Sequence, residues 1–265
     1  HVSPAIDRQA FLRSFFCQPD LFIRVRKGFE HQVKAELNSA EVAFKDEGNN
    51  CLSMPNGIRL ESLFPAQHWF EVQDSSSQQT AQFFKPGKWE NWWDACAASG
   101  GKSLLLHELQ PDLKLVVSDI RESVLANLDE RFQRSGLLKY QKKLLDLTQN
   151  IELDLHDYAF DGIILDAPCS GSGTWGRTPE MISQFSLQKI EFFSRLQQAI
   201  VRNVVKYLKP GKPLIYITCS VFKAENEDVV AFITNELGLK LEEQAVLKGY
   251  EHKADTMFAA RLISP

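Results

Sequence analysis

Long apolar runs are missing from this chain. None of its hydrophobic stretches approaches the roughly 20 consecutive residues needed to span a bilayer. The opening HVSPAIDRQAFLRSFF also lacks the basic stretch followed by an apolar run that marks a secretory leader. A soluble, cytoplasmic protein with no membrane partner is expected. Cysteine is sparse too. Cys17, Cys51, Cys96, Cys169 and Cys219 are odd in number and widely spaced, with no C-x-x-C and no nearby His cluster. That pattern supports neither a disulfide framework nor a zinc site, so no metal is expected and a functional cysteine should be a reduced thiol. Basic charge is likewise not in excess. Thirty Lys and Arg against 34 Asp and Glu leave a formal net charge of -4, which argues against a blanket electrostatic grip on nucleic acid and leaves only local patches for that purpose.

What is present is ordinary globular material, 44% hydrophobic and 24% charged over 265 residues, enough for a large and a small domain. Residues 1–70 read as a small α+β unit. Arg8 to Phe16 and Gly28 to Ser39 have helical patterning, and Leu21 to Lys27 alternates like a half-buried strand. Glu41 to Phe44 and Cys51 to Met54 are expected as strands around the turn Asp46 to Asn50. Arg24, Arg26 and Lys27 could face a nucleic-acid backbone, although a charged alternate face on a strand is more often simply solvated. The polar run Gln73 to Gln79 is read as a domain junction, with residues 71–265 forming the second domain.

From there the chain alternates strand and helix. Trp89 to Ala95 reads as a strand leading into Cys96-Ala97-Ala98-Ser99-Gly100-Gly101-Lys102, a glycine-rich turn that lets a ligand approach backbone N–H groups at a helix N-terminus. A second strand, Leu115 to Val117, ends at Ser118-Asp119. Asp119 lies 18 residues past Gly101, close to the interval of about 20 at which a carboxylate takes the hydroxyls of a bound ribose. The competing P-loop pattern fails because Cys96 stands where glycine is required, while an N-capping role for Asp119 can coexist with ribose binding. After the helical stretch Arg121 to Gly136, Lys142 to Leu145 is a third strand ending at Asp146. Gly162 to Leu165 runs into Asp166-Ala167-Pro168-Cys169, and Pro213 to Ile217 runs into Thr218-Cys219-Ser220. The long amphipathic stretch Leu187 to Leu208, the helix Glu225 to Glu236 and closing strands around Met257 to Leu262 complete the pattern. An isolated Asp-x-x-Cys is more often a strand, a turn and a packed thiol than a site. Here the glycine turn, three carboxylates (Asp119, Asp146 and Asp166) and two cysteines all fall at carboxyl ends of strands, which is what an open parallel sheet needs to build one crevice, with an adenosine-type cofactor beside two thiols.

CAASGGK at Cys96 to Lys102, DAPCSGSGTWGRTPE at Asp166 to Glu180 and TCSVFKAENEDVV at Thr218 to Val230 together resemble the RNA (cytosine-5) methyltransferases of the Nol1/Nop2/Sun family, which includes bacterial ribosomal-RNA enzymes. The resemblance runs from about Phe70 to the C-terminus. It implies a Rossmann-like class I methyltransferase domain with a mostly parallel sheet, preceded by the small α+β domain. It also implies S-adenosyl-L-methionine as cofactor, held by Cys96 to Lys102 with Asp119, Asp146 and Asp166. Cys219 is then the nucleophile, Cys169 the second cysteine needed for product release, and Asp166 the group facing the N3/N4 edge of the base. The chemistry agrees. C5 of cytosine is too weak a nucleophile to take a methyl group from a sulfonium, whereas a thiolate added at C6 makes C5 enamine-like.

The implied partner is RNA, rRNA before tRNA, presenting a single-stranded or flipped cytosine, and the protein is expected to act as a monomer with its N-terminal unit choosing the RNA. Three departures from the family pattern stand out: Ser99 replaces the usual proline of the glycine turn, Val124 stands where an arginine commonly follows the ribose acid, and the stretch after Glu180 lacks a tryptophan-arginine pair. Arg121 is the available substitute for the arginine. Two rivals load the site differently: a DNA cytosine-5 methyltransferase would use Cys169 as nucleophile, and a non-catalytic RNA-binding or ribosome-assembly factor would carry a dead site. The start at His1 rather than Met leaves room for further native residues, and the resemblance leaves room for a C-terminal RNA-binding module.

Overall fold

The structure, a computed structural model, describes residues 1–64 and 68–265. Its first sheet is antiparallel and comprises β1 (Leu21–Val25), β2 (Lys45–Gly48), β3 (Cys51–Met54) and β4 (Phe70–Val72) in the order β2-β3-β1-β4. Ile23, Val25, Leu52, Met54 and Phe70 bury one face against Val33 and Leu37 of the helix Glu30–Ser39. The strand expected over Glu41 to Phe44 falls instead at Lys45–Gly48. The reason is local: Asn49 and Asn50 both take positive φ (50° and 62°), making a two-residue hairpin turn whose twist suits the flanking strands, so the residues just before it must pair with β3.

The second sheet has seven strands: β5 (Asn91–Asp94), β6 (Lys114–Asp119), β7 (Gln141–Leu144), β8 (Gly162–Asp166), β9 (Pro213–Thr218), β10 (Lys240–Leu247) and β11 (Met257–Ile263). Their order is β10-β11-β9-β8-β5-β6-β7, with β9, β8, β5, β6 and β7 parallel and the closing pair antiparallel. This is the Rossmann-like arrangement expected from the sequence. The chain winds outward through β6 and β7 and then returns to lay β8 on the other side of β5. That reversal opens a crevice at the carboxyl ends of β5 and β8. Successive residues of the central strands β5, β8 and β9 bury into opposite layers, which explains their apolar runs. Trp93, Ile163, Leu165 and Tyr216 face one core, and Trp92, Ile164, Ile215 and Ile217 face the other.

Three expectations about the first third of the chain change. Gln73 to Gln79 is not an open junction: Asp74 caps a short helix, Ser75–Gln79, and Gln73, Ser76 and Gln78 are buried between the sheets. Residues near the start do not join the core of the first sheet; Ile6 and Phe11 pack with Trp175, Val221, Phe222 and Tyr250 of the second. Arg24, 4% exposed, is neither solvated nor free to meet RNA. Its guanidinium donates to Gln73 at 3.0 Å and to Glu108 at 2.5 Å, while Arg26 pairs with Glu71, so the basic alternation of β1 is an internal seam between the two sheets. Lys27 alone of the three is exposed. Among the described residues no helix is long and apolar enough to cross a membrane.

Candidate active site

The turn after β5 is shaped by glycine where no other residue fits. Gly100 has φ 81°, and a Cβ there would lie 2.3 Å from the Phe132 ring. It leads directly into the helix Gly101–Leu109. The Ala98 N–H donates to Asp119 Oδ2 at 3.1 Å, so the turn is tied to the tip of β6. Asp119 also receives the Arg121 backbone N–H and two guanidinium nitrogens, at 3.0–3.1 Å. Burial raises the Asp119 carboxyl, but the Arg121 and Ala98 bonds outweigh it and hold the group below its ordinary value. Asp119 therefore does not cap the following helix, Glu122–Ser135, which has no side-chain cap. Arg121 stands in contact with the ribose-type carboxylate that Val124 cannot reach.

Cys96, Ala98, Asp119, Asp146 and Asp166 line one cleft of about 490 Å³, together with both site cysteines. Ile120, Leu145, Leu147, Leu196 and Ile200 supply its apolar walls. A volume in this range with few polar groups suits a nucleoside-sized ligand. Burial raises the Cys96 thiol strongly, so it is a neutral wall rather than a reacting group. Asp146 accepts from the Thr148 N–H and hydroxyl, and those bonds lower its carboxyl. Ala97, Ser99, Gly100, Gly101 and Lys102 are not on the cleft wall. Ala97 donates its N–H to Ser118, the glycines form the turn, and Ser99 is exposed and accepts from Arg131 Nη1 at 3.1 Å. The hydroxyl of Ser99 thus gives this turn a tether that proline could not make.

Lys102 Nζ donates to Asp166 Oδ2 at 2.8 Å. Burial alone would lower the Lys102 ammonium, yet attraction to Asp166, Asp94 and Cys219 more than offsets this and raises it. A fixed positive charge thus sits among the carboxylates and beside one thiol. Cys169 follows β8 and Cys219 follows β9, and because those strands pair in parallel the two sulfurs meet at 3.3 Å. Contact with the Cys219 sulfur, and then burial, holds the Cys169 thiol well above its ordinary value. The Gly173 N–H binds the Cys219 carbonyl at 2.8 Å, fastening one cysteine loop to the other.

Two buried carboxyls here escaped the sequence reading. Asp94, at the tip of β5, is 0% exposed. One oxygen accepts from Ser103 Oγ at 2.6 Å and the other has no partner among the described residues. Burial pushes it up to about 7. Its place directly before the CAASGGK turn was the available signal. Glu225, also 0% exposed, lies inside the TCSVFKAENEDVV stretch without having been given a role.

Comparison with known proteins fits this geometry. A family model described as 16S rRNA methyltransferase RsmB/F matches residues 81–263. Ribosomal RNA small subunit methyltransferase B of Shewanella oneidensis is 34% identical over 223 residues, covering 80% of this chain and 51% of that protein. The Klebsiella pneumoniae protein of the same name is 30% identical over 264 residues, covering 93% and 60%. The chain thus spans a little over half the length of these relatives. A methyltransferase homologue from Pyrococcus horikoshii superposes with a TM-score of 0.81 at 22% identity, covering 97% of this chain and 90% of that one. NSun6 from the same organism gives 0.83 at 17%, covering 97% and 94%. These two solved structures share the fold of both sheets.

Proposed function

The chain belongs to the 16S rRNA methyltransferase RsmB/F family, and from that premise we propose that it methylates C5 of a cytosine in RNA, ribosomal RNA first, with S-adenosyl-L-methionine as methyl donor. One observation carries the reading: two thiols 3.3 Å apart at the tips of adjacent parallel strands, opening onto a nucleoside-sized cleft. The cofactor supplies an electrophilic methyl group. Cys96, Ala98, Asp119, Asp146 and the apolar cleft wall would hold it, with Asp119 accepting from ribose hydroxyls.

Cys219, with the Lys102 cation nearby, adds as thiolate to C6 of the cytosine and makes C5 nucleophilic. Asp166, oriented by its bond to Lys102, faces the N3/N4 edge and stabilises the charge that develops there. After methyl transfer the C5 proton passes to Cys169 or to a base that Cys169 helps position, and the C5–H electron pair re-forms the C5–C6 double bond and expels Cys219 as thiolate. The base must be unpaired or flipped to reach the tips of β8 and β9. Residues 1–70 are assigned to helping choose the RNA.

The test is RNA carrying 5-fluorocytosine, whose fluorine blocks the elimination. Wild type should form a denaturation-resistant protein–RNA adduct in the presence of S-adenosyl-L-methionine. Cys219→Ala should form none. Cys169→Ala should form it and should accumulate an adduct on unmodified cytosine RNA as well. An adduct that depended on Cys169 and survived Cys219→Ala would reverse the two roles, and no adduct in wild type would end the covalent reading.

A further inference from the structure

The two site cysteines sit on separate loops, and their sulfurs touch at 3.3 Å only while those loops are held in register. Glu225 lies in the 3-10 turn Lys223–Glu225 that follows the Cys219 loop, and its side chain reaches both loops. Its Oε2 accepts the backbone N–H of Ser170, the residue after Cys169, at 2.7 Å. Its Oε1 accepts the hydroxyl of Ser220, the residue after Cys219, at 2.9 Å. Gln197 of the long helix Leu187–Val204 closes the arrangement. Its Nε2 donates to the Pro168 carbonyl at 3.0 Å, on the other side of Cys169, and to Glu225 Oε2 at 3.4 Å. The Tyr216 hydroxyl fixes the backbone carbonyl of Glu225 itself at 2.6 Å.

We propose that Glu225 is the positioning residue that holds the Cys169 and Cys219 loops in register, acting on the reaction through the geometry of the thiol pair rather than by touching substrate. This deepens the reading of Cys219 and Cys169 as the reacting pair and rests on it. A carboxyl is suited to the task because it offers two oxygens in a fixed fork, one for each loop. Among the described residues the three donors that reach it are neutral, and no cation pairs with it. Its role is therefore directional bonding, not charge compensation. A buried group in this setting is kept only if its acceptors are used, since an unsatisfied one is costly. Glu225 is absent from the cofactor cleft, so its loss should leave cofactor binding alone.

The distance between the sulfurs can be measured without RNA or cofactor. Diamide oxidises two adjacent thiols to a disulfide, the two protons and two electrons passing to its azo bond, and the Cys169–Cys219 peptide pair is then read by mass after proteolysis. Wild type should cross-link readily. Glu225→Ala should cross-link at least about fivefold more slowly, and its kcat for methyl transfer should fall by at least about tenfold with KM for S-adenosyl-L-methionine unchanged. Glu225→Gln can still give its carbonyl to Ser170 N–H and its amide to the Ser220 oxygen, and should restore both rates to within about twofold. Should Glu225→Ala not fold, Ser220→Ala removes the Cys219 arm, together with the contacts of the Ser220 hydroxyl to those of Ser170 and Ser172 at 3.3 Å, and should slow cross-linking by itself. Cross-linking and kcat at wild-type level in a folded Glu225→Ala or Ser220→Ala protein overturn the proposal. A wild-type protein that cross-links but forms no 5-fluorocytosine adduct leaves the bridge standing and removes the covalent mechanism instead.

Discussion

Lys102 and Asp166 meet at 2.8 Å although they come from different elements, the first turn of the helix after β5 and the last residue of β8. Parallel pairing of β5 with β8 brings the two elements side by side, and the ion pair then joins the glycine turn to the thiol loops. Lys102→Met should leave Asp166 without its orienting donor and Cys219 without the attraction of the Lys102 cation. A loss of methyl transfer on the order of 100-fold is expected, the usual consequence of removing one preorganised electrostatic group. Transfer of labelled methyl to RNA measures it, with the melting temperature as the control for folding.

Asp94 makes stability depend on pH. Its carboxyl is pushed up to about 7 from an ordinary 3.8, so the folded protein binds this proton more tightly than the unfolded chain does. The group's contribution is complete below about pH 4 and is lost as the pH rises through 7, a change of about 4 kcal/mol over that window. Asp94→Asn carries no charge at any pH. Its melting temperature should exceed that of wild type at pH 8, and the difference should shrink at pH 5. A difference that grew on acidification would contradict the assignment.

Arg131 couples the first sheet to the glycine turn. Its Nε binds Glu71 of β4 at 2.9 Å, while Nη1 binds the Ser99 hydroxyl at 3.1 Å. Arg131→Ala should weaken S-adenosyl-L-methionine binding about threefold to tenfold, the worth of one positioning hydrogen bond or slightly more. Ser99→Pro should lose the same tether but stiffen the turn, so its affinity should exceed that of Arg131→Ala. Titration calorimetry of both variants tests the order.

Gly173 is needed for space. A Cβ there would lie 1.9 Å from the Thr256 carbonyl oxygen and 3.0 Å from that of Cys219. Gly173→Ala must therefore push the Cys219 loop or the Thr256 strand aside. It should destabilise by about 1–3 kcal/mol and slow adduct formation on 5-fluorocytosine RNA, measured by chemical denaturation and by gel shift.

Much of the site was legible because buried parallel strands write themselves as short apolar runs, and whatever follows such a run sits at a strand tip. Asp119, Asp146, Asp166, Cys169 and Cys219 could all be found that way. Arg24 and Arg26 could not be read correctly. Alternation with apolar residues looks the same whether the charged face meets water or carboxylates brought in from distant parts of the chain, and Glu71 and Glu108 are 45 and 84 residues away from them. The hairpin after residue 44 slipped for a smaller reason: Asp46 to Gly48 have turn composition, but two asparagines at positive φ were sufficient to make the turn alone.

By itself, then, the sequence determined the succession of βα units, the glycine turn and the placing of carboxylates and cysteines at strand ends, since these depend on local periodicity and on residue chemistry. Only the tertiary structure decided which of those groups touch. The 3.3 Å contact of Cys169 with Cys219, the burial that raises Asp94 and the fork of Glu225 between two serines all join residues distant along the chain. Such contacts arise from the parallel register of β8 and β9 and from exclusion of water, neither of which any single stretch of the chain encodes.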